Sequence, residues 1–344
     1  MKKISERKQT RSLKLPAGGI DFTSNDYLGL ARSVELHQMI EQAYASLPAK
    51  RNGSTGSRLL SGNSELITET ENKLAGIFKS ESTLIFDSGY SANLAVLSTL
   101  PQRGDTIIMD ELVHASLKDG SRLSLATRWN FRHNDLHDLE KKLQSAEGEK
   151  WIVVESIYSM DGDICPLEDL TGLAKKYNAH IILDEAHSTG IMDSFSDPSV
   201  DVRIHTFGKA MGVHGACTAT PVEVKDMLVN FSRPFIYTTA PSDHSVVSIS
   251  CAFDYLAKNL QLRNELQSKI RYFRATTQIH AVMTPGADNA IRAALHLRSA
   301  GFDVRPILSP TVKEGQERLR ICLHTFNTNE EIDSLSKELG SLGL

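Results

Sequence analysis

The sequence predicts an α/β fold built on a mostly parallel sheet, and three features carry that expectation. Short aliphatic, β-branched runs alternate with helical patterns. The runs are apolar throughout, as in strands covered on both faces, and each is followed by polar, ionisable or glycine residues. At 344 residues and 40% hydrophobic content the chain can bury the core that such a sheet requires.

Taken in order, "STLIFDSGYSANLAVLSTL" (82–100) reads as a strand followed by a helix that opens at Ser88, Gly89 and Tyr90. The stretch "DTIIMDELVHASLKDG" (105–120) repeats that rhythm. "WIVVE" (151–155) is a third strand, and in "PLEDLTGLAKKY" (166–177) Leu167, Leu170, Leu173, Ala174 and Tyr177 fall on one helical face. With "HIILD" (180–184) behind it, this is a strand, helix, strand unit of about 35 residues. "DVRIHTFGKAMG" (201–212) supplies a fifth strand. Beyond Tyr237 the pattern changes: 245–273 reads as one or two long helices and "RLRICLH" (318–324) as a strand, which predicts a smaller C-terminal α+β domain. The expected division is an N-terminal arm over 1–38, a large domain over 39–245, and a connecting helix with the small domain over 246–344.

Charge and composition exclude several classes. Lys and Arg number 38 against 42 Asp and Glu, a formal net charge of -4, and no long run of either sign offers a nucleic-acid or membrane surface. The basic start "MKKISERKQTRSLK" reads as a solvated arm; with no apolar segment behind it, a secretory signal is not expected. No window approaches the ~20 apolar residues of a membrane span, so a cytoplasmic protein is expected. Cys165, Cys217, Cys251 and Cys322 form no C-x-x-C pair, which argues against structural zinc and a disulfide framework, and no metal site is expected.

Ligands of open parallel sheets bind beyond the carboxyl ends of the strands. Here those ends carry Asp87, Ser88, Gly89 and Tyr90; Asp110 and His114; Glu155 and Ser159; Asp184 and His187; Thr206 and Lys209. Caps and turns explain any one of these groups, but five in a row call for more. The glycine-rich "NGSTGSRLLSGNS" (52–64) fits neither a P-loop nor a dinucleotide site. Lys209 stands between small residues after a strand, Asp184 ends the strand before it, and the helix opening at Ser88 offers N–H groups to a phosphate. Amine, carboxylate and phosphate site together suggest a lysine-held pyridoxal phosphate (PLP), whose ring nitrogen needs an acidic partner. His187 is then a candidate donor to the cofactor phenolate and His114 a candidate to lie against the ring. His133, His137, His205, His214 and His324 read as surface or core histidines.

These residues stand in segments that run in order across nearly the whole chain: "FTSNDYLGLA", "GSTGSRLLSGNSEL", "DSGYSANLAVLSTL", "DELVHASLKDG", "ESIYSMDGDICPLEDL", "DEAHSTG", "HTFGKAMGVHGA", "FIYTTA" and "VRPILSPTVKEGQERLRICLH". In them the chain resembles the α-oxoamine synthases, PLP-dependent transferases of fold type I (aspartate-aminotransferase-like), with a large domain on a mostly parallel sheet and a smaller C-terminal α+β domain. The resemblance implies that Lys209 carries the cofactor and removes the Cα proton, that Asp184 pairs with the pyridine nitrogen, that His114 stacks on the ring, and that His187 and Ser159 approach the phenolic oxygen. Thr206 and the backbone of Ser88, Gly89 and Tyr90 would hold the phosphate. It implies a homodimer with a shared site, in which Thr238 and Thr239 reach the partner's phosphate, while Asn25 and Arg320 bind the amino-acid carboxylate and Glu155 lies close by.

The activity so implied is an acyltransferase reaction, the decarboxylative condensation of L-alanine with pimeloyl-CoA or a pimeloyl-carrier protein in biotin biosynthesis, since "TFGKAMGVHGA" is most similar to the alanine-using branch. Serine palmitoyltransferase or glycine C-acetyltransferase chemistry is the alternative. A non-catalytic PLP-binding scaffold is a third reading, against which the intact Lys209, Asp184, His114 and His187 weigh. Three departures stand out: Ile67 replaces a histidine that many relatives carry and is expected to pack; the segments 191–204 and 274–290 are short; and the brief N-terminal arm leaves the role of Arg11 open.

Overall fold

The computed structural model describes residues 18–344 apart from Ser196 and Pro198, so the basic arm with Arg11 lies outside the described residues. The chain forms two compact units. The larger is Asn25–His280 with Cys322–Phe326; the smaller takes in the residues up to Ser24, Ala281–Ile321 and Asn327–Leu344.

After a two-residue strand, β1 (Ile20–Asp21), come the strands of the main sheet: β2 (Ser82–Phe86), β3 (Thr106–Asp110), β4 (Thr127–Phe131), β5 (Lys150–Glu155), β6 (Ala179–Asp184), β7 (Val202–Thr206) and β8 (Ala216–Thr220). Their spatial order is β2-β8-β7-β6-β5-β3-β4. From β4 to β7 all pairings are parallel, whereas β8 runs antiparallel to both β7 and β2. Two reversals leave β2 running with the rest, so the carboxyl ends of β2 to β7 meet at one edge.

β2, β3 and β8 are buried at every position, and β5 at all but its first residue, which is why these strands read as unbroken apolar or small-residue runs. Two strands gave no apolar signal. β4 is an edge strand that exposes Arg128 and Asn130, and β8 ("ACTAT") is made of small and hydroxyl residues that fit between two covered neighbours.

The helices of the larger unit are α1 (Val34–Ala45), α2 (Glu65–Phe78), α3 (Gly89–Thr99), α4 (Ala115–Leu123), α5 (Leu136–Ser145), α6 (Leu167–Tyr177), α7 (Val222–Phe231), α8 (Arg233–Ile236), α9 (Asp243–Lys258) and α10 (Gln261–Phe273). α3 begins where the "SGY" turn predicts, with Ser88 accepting from the Ser91 N–H as its cap, and it buries Ala92, Ala95, Val96 and Leu97 fully. α4 lies close against it because residue 120 is glycine: a Cβ there would come within 2.8 Å of the Asn93 carbonyl oxygen. On α2, Ile67 is 1% exposed and packs in the core, as its helix face predicts. The 245–273 stretch is two helices, α9 and α10, both in the larger unit.

The smaller unit contains α11 (Ala287–Ser299) and α12 (Asn329–Ser341), the latter opened by a reciprocal Thr328–Glu331 capping box. Its strand β10 (Phe302–Asp303) pairs in parallel with β1. A three-stranded sheet in the order β11 (Arg305–Ile307), β12 (Arg318–Cys322), β9 (Ile279–Met283) completes the α+β pattern. Among the described residues no helix is long and apolar enough to cross a membrane and no group of side chains is arranged to hold a metal ion. All four cysteines are free and buried.

Candidate active site

Asp184 ends β6 and is 4% exposed. Its Oδ1 accepts from the Ala186 N–H at 2.9 Å and its Oδ2 from the Asn93 amide at 2.8 Å. Both donors are neutral, so the charge remains available to a cation at the sheet edge. One strand further on, Lys209 is half-buried in the loop after β7, with its Nζ 2.8 Å from His187 Nε2. The other ring nitrogen of His187 lies 2.8 Å from the Tyr27 hydroxyl, which donates to Asn25 Oδ1 at 2.8 Å. With that hydroxyl hydrogen committed to Asn25, His187 carries its proton on Nδ1 and leaves Nε2 to accept from Lys209. The His187 carbonyl is fixed in turn by the buried Gln278 amide, at 2.8 Å.

His114 caps α4 with its ring: Nδ1 is 2.7 Å from Ser116 Oγ and accepts from the Ser116 N–H at 3.2 Å. Burial pushes its pKa down, against the pull of the Asp184 carboxylate. Beneath it, Glu155 at the end of β5 is 2% exposed and accepts from the His114 N–H. Burial, reinforced by the charge of Asp184, raises the Glu155 carboxyl to about 8. Ser159 follows on the loop after β5, buried and hydrogen-bonded to Glu155.

At the end of β2, Ser88, Gly89 and Tyr90 form the first turn of α3, facing Thr206 at the end of β7. A Cβ on residue 89 would fall 2.2 Å from Thr206 Oγ1, so the glycine keeps a narrow gap open between a helix N-terminus and a hydroxyl. Thr238 and Thr239 line a small cleft beside this turn with Asp87 and Ser91, and Thr239 bridges to Ser57 of the glycine-rich stretch. Arg320 lies on β12 of the smaller unit.

Not every residue at the edge belongs to this constellation. Asp110 is spent on His133: both carboxylate oxygens lie 3.0 Å from His133 Nδ1, and His133 Nε2 contacts Asp163. Burial opposes charge on this imidazole, yet the two carboxylates outweigh it and push it up to about 10. His133 is therefore a half-buried imidazolium clamp and not mere filler. His205, by contrast, is a core residue stacked on Phe78 at 3.6 Å.

Four site residues gave no signal that sequence reasoning used: Tyr27, Asn93, Ser116 and Gln278. For Asn93 a signal exists in retrospect, a lone amide on the buried face of an apolar helix.

The profile of the aminotransferase class I and II family matches residues 17–339. The chain belongs to this family. Among its relatives, the 8-amino-7-oxononanoate synthase of Emericella nidulans is 35% identical over 98% of this chain and 92% of its own length. The 8-amino-7-oxononanoate synthase 2 of Bacillus subtilis is 35% identical over 100% of this chain and 95% of its own. Among solved structures, a serine palmitoyltransferase of S. paucimobilis superposes with a TM-score of 0.88 at 26% identity, over 94% of this chain and 87% of that one. The 8-amino-7-oxononanoate synthase of Francisella tularensis gives 0.79 at 27% identity, over 95% and 99%. The family member described here is thus an α-oxoamine synthase of fold type I, a PLP-dependent acyltransferase. Its own residues fit the cofactor: a buried carboxylate for the pyridinium, a lysine amine, and a glycine-opened gap at a helix N-terminus for the phosphate.

Proposed function

We propose that the chain condenses L-alanine with a pimeloyl thioester, carried by CoA or a carrier protein, with loss of CO2, as an 8-amino-7-oxononanoate synthase of biotin biosynthesis. The observation that carries the chemistry is the Lys209–His187 contact, at 2.8 Å, on the sheet edge that also holds Asp184. The choice of substrates is supported by relatives of that name that match over nearly the full chain.

PLP, when bound, supplies an electron sink for the charge left on the amino-acid Cα as a bond to it breaks. Lys209 holds the cofactor, removes the Cα proton of alanine and returns a proton after condensation. Asp184, oriented by Asn93 and Ala186, keeps the pyridine nitrogen protonated. His187, oriented by Tyr27, attends the phenolic oxygen with Ser159, and His114 covers the ring. Thr206 and the first turn of α3 would anchor the phosphate, Asn25 and Arg320 would take the substrate carboxylate, and Glu155 would be a further polar residue for the substrate. A second copy of the chain completes the site, its Thr238 and Thr239 reaching this phosphate; Leu60 and Tyr237, 86% and 72% exposed in the single chain, lie close in sequence to those elements and suit an interface.

A serine palmitoyltransferase activity is the second reading, favoured by the TM-score of 0.88 to that enzyme. Thioester cleavage measured with alanine, serine and glycine against an acyl-CoA series separates the two. Turnover with alanine and pimeloyl-CoA supports the first reading, and turnover with serine and palmitoyl-CoA the second. Release of CoA with none of the three amino acids overturns both.

A further inference from the structure

Asn93 is 2% exposed in α3, and its amide nitrogen has two hydrogens to place. One is directed at Asp184 Oδ2 and the other at Ser116 Oγ, each at 2.8 Å. The carboxylate decides which way the amide is turned, because the reverse orientation would set Asn93 Oδ1 against a carboxylate oxygen, acceptor on acceptor. Ser116 Oγ therefore receives a hydrogen bond from Asn93 and has a single hydrogen of its own, with His114 Nδ1 at 2.7 Å. The Ser116 backbone N–H closes on the same ring nitrogen at 3.2 Å. Two donors converge on Nδ1, so Nδ1 accepts and the ring proton sits on Nε2.

We infer that Asn93 and Ser116 are positioning residues that fix His114 as a neutral imidazole protonated on Nε2, so that it offers a bound substrate an N–H donor and no acceptor. The order of the chain is directional: the carboxylate that serves the cofactor's ring nitrogen orients the amide, the amide orients the hydroxyl, and the hydroxyl selects the tautomer. A substrate carboxylate or thioester carbonyl is the group such a donor recognises. The charged groups around the ring are Asp184, Lys209, Asp119 and Lys118, with Glu155 on the His114 backbone; burial, the largest influence, and the two lysines oppose a second ring proton, against the pull of Asp184 and Asp119. What His114 meets rests on the PLP reading, whereas the hydrogen-bond chain is a property of the protein without cofactor.

The test is nitrogen NMR on 15N-histidine-labelled protein, cofactor-free and PLP-loaded, with a His114→Gln sample to assign the signals. The expected result is one protonated nitrogen at Nε2 and one bare nitrogen at Nδ1, unchanged between about pH 6 and 8, where an ordinary histidine titrates. Ser116→Ala and Asn93→Ala should populate both tautomers and raise the titration midpoint, and Ser116→Thr, which keeps the hydroxyl, should restore the wild-type pattern. In turnover the same two alanine variants should raise KM for the amino acid. A wild-type ring protonated on Nδ1 overturns the inference, as do alanine variants that keep the wild-type pattern. Should Asn93→Ala fail to fold, the wild-type spectrum and Ser116→Ala decide. Failure of every form to bind PLP, read by visible absorbance, would sink the PLP reading instead, and the tautomer would still be scored in the cofactor-free protein.

Discussion

Lys209 Nζ and His187 Nε2 stand 2.8 Å apart, and each is anchored from behind, the lysine by its loop between two strands and the imidazole by Tyr27. An amine so placed is committed to one task. Lys209→Ala should abolish the visible absorbance band that wild-type protein gains on adding PLP, and should lower turnover by about 10³-fold or more, the scale of a lost general base or covalent group. A variant that keeps both the band and the rate would remove Lys209 from the mechanism.

Tyr27→Phe tests the support and not the reactive group. Without the hydroxyl, His187 Nδ1–H loses its acceptor in a site where the ring is 5% exposed. An unsatisfied buried donor costs about 1–3 kcal/mol, so kcat should fall about tenfold while PLP affinity stays near wild type. Steady-state rates and PLP titration measure the two effects separately.

Gly89→Ala addresses the phosphate site. The new Cβ would stand 2.2 Å from Thr206 Oγ1, and the gap can only widen by moving that hydroxyl away. The Kd for PLP should rise by about tenfold or more, roughly one or two lost hydrogen bonds, with the far-UV circular dichroism of the cofactor-free protein unchanged.

His133→Gln tests the clamp between Asp110 and Asp163. The folded imidazole, near 10, lies above its ordinary 6.5, so its contribution to stability is fully present below pH 6.5 and is lost as pH rises through 10. The Tm gap between wild type and variant should therefore be widest at pH 6 to 6.5 and close progressively towards about pH 10. A gap that widens with pH would contradict the assignment.

Much of this fold was legible because its buried strands are apolar throughout and its helices amphipathic. Where the physics differs, the reading failed: the polar edge strand β4 and the small-residue strand β8 carry no apolar run, although β8 is fully buried. In the site, Asp184, His187 and Lys209 were visible because each follows a strand that announces itself. Tyr27 and Gln278 reach the same place from residues far away in sequence, and nothing local marks them. His133 shows the opposite failure. It lies after a strand that gave no signal, so its two carboxylate partners, Asp110 and Asp163, could not be matched to it from the chain alone.

The reversal of β8 has a bearing on how the reactive amine is held. β7 and β8 pair up to Thr206 opposite Ala216, and the loop between them is closed by Phe207 N–H to Gly215 O at 2.9 Å and Val213 N–H to Phe207 O at 3.0 Å. Lys209 therefore rides on a hairpin whose two legs are both sewn into the buried sheet, and its place in space is set by main-chain pairing on either side. A one-residue slip between those legs, however, would turn every β8 side chain to the other face and carry the amine away from Asp184 and His187 together.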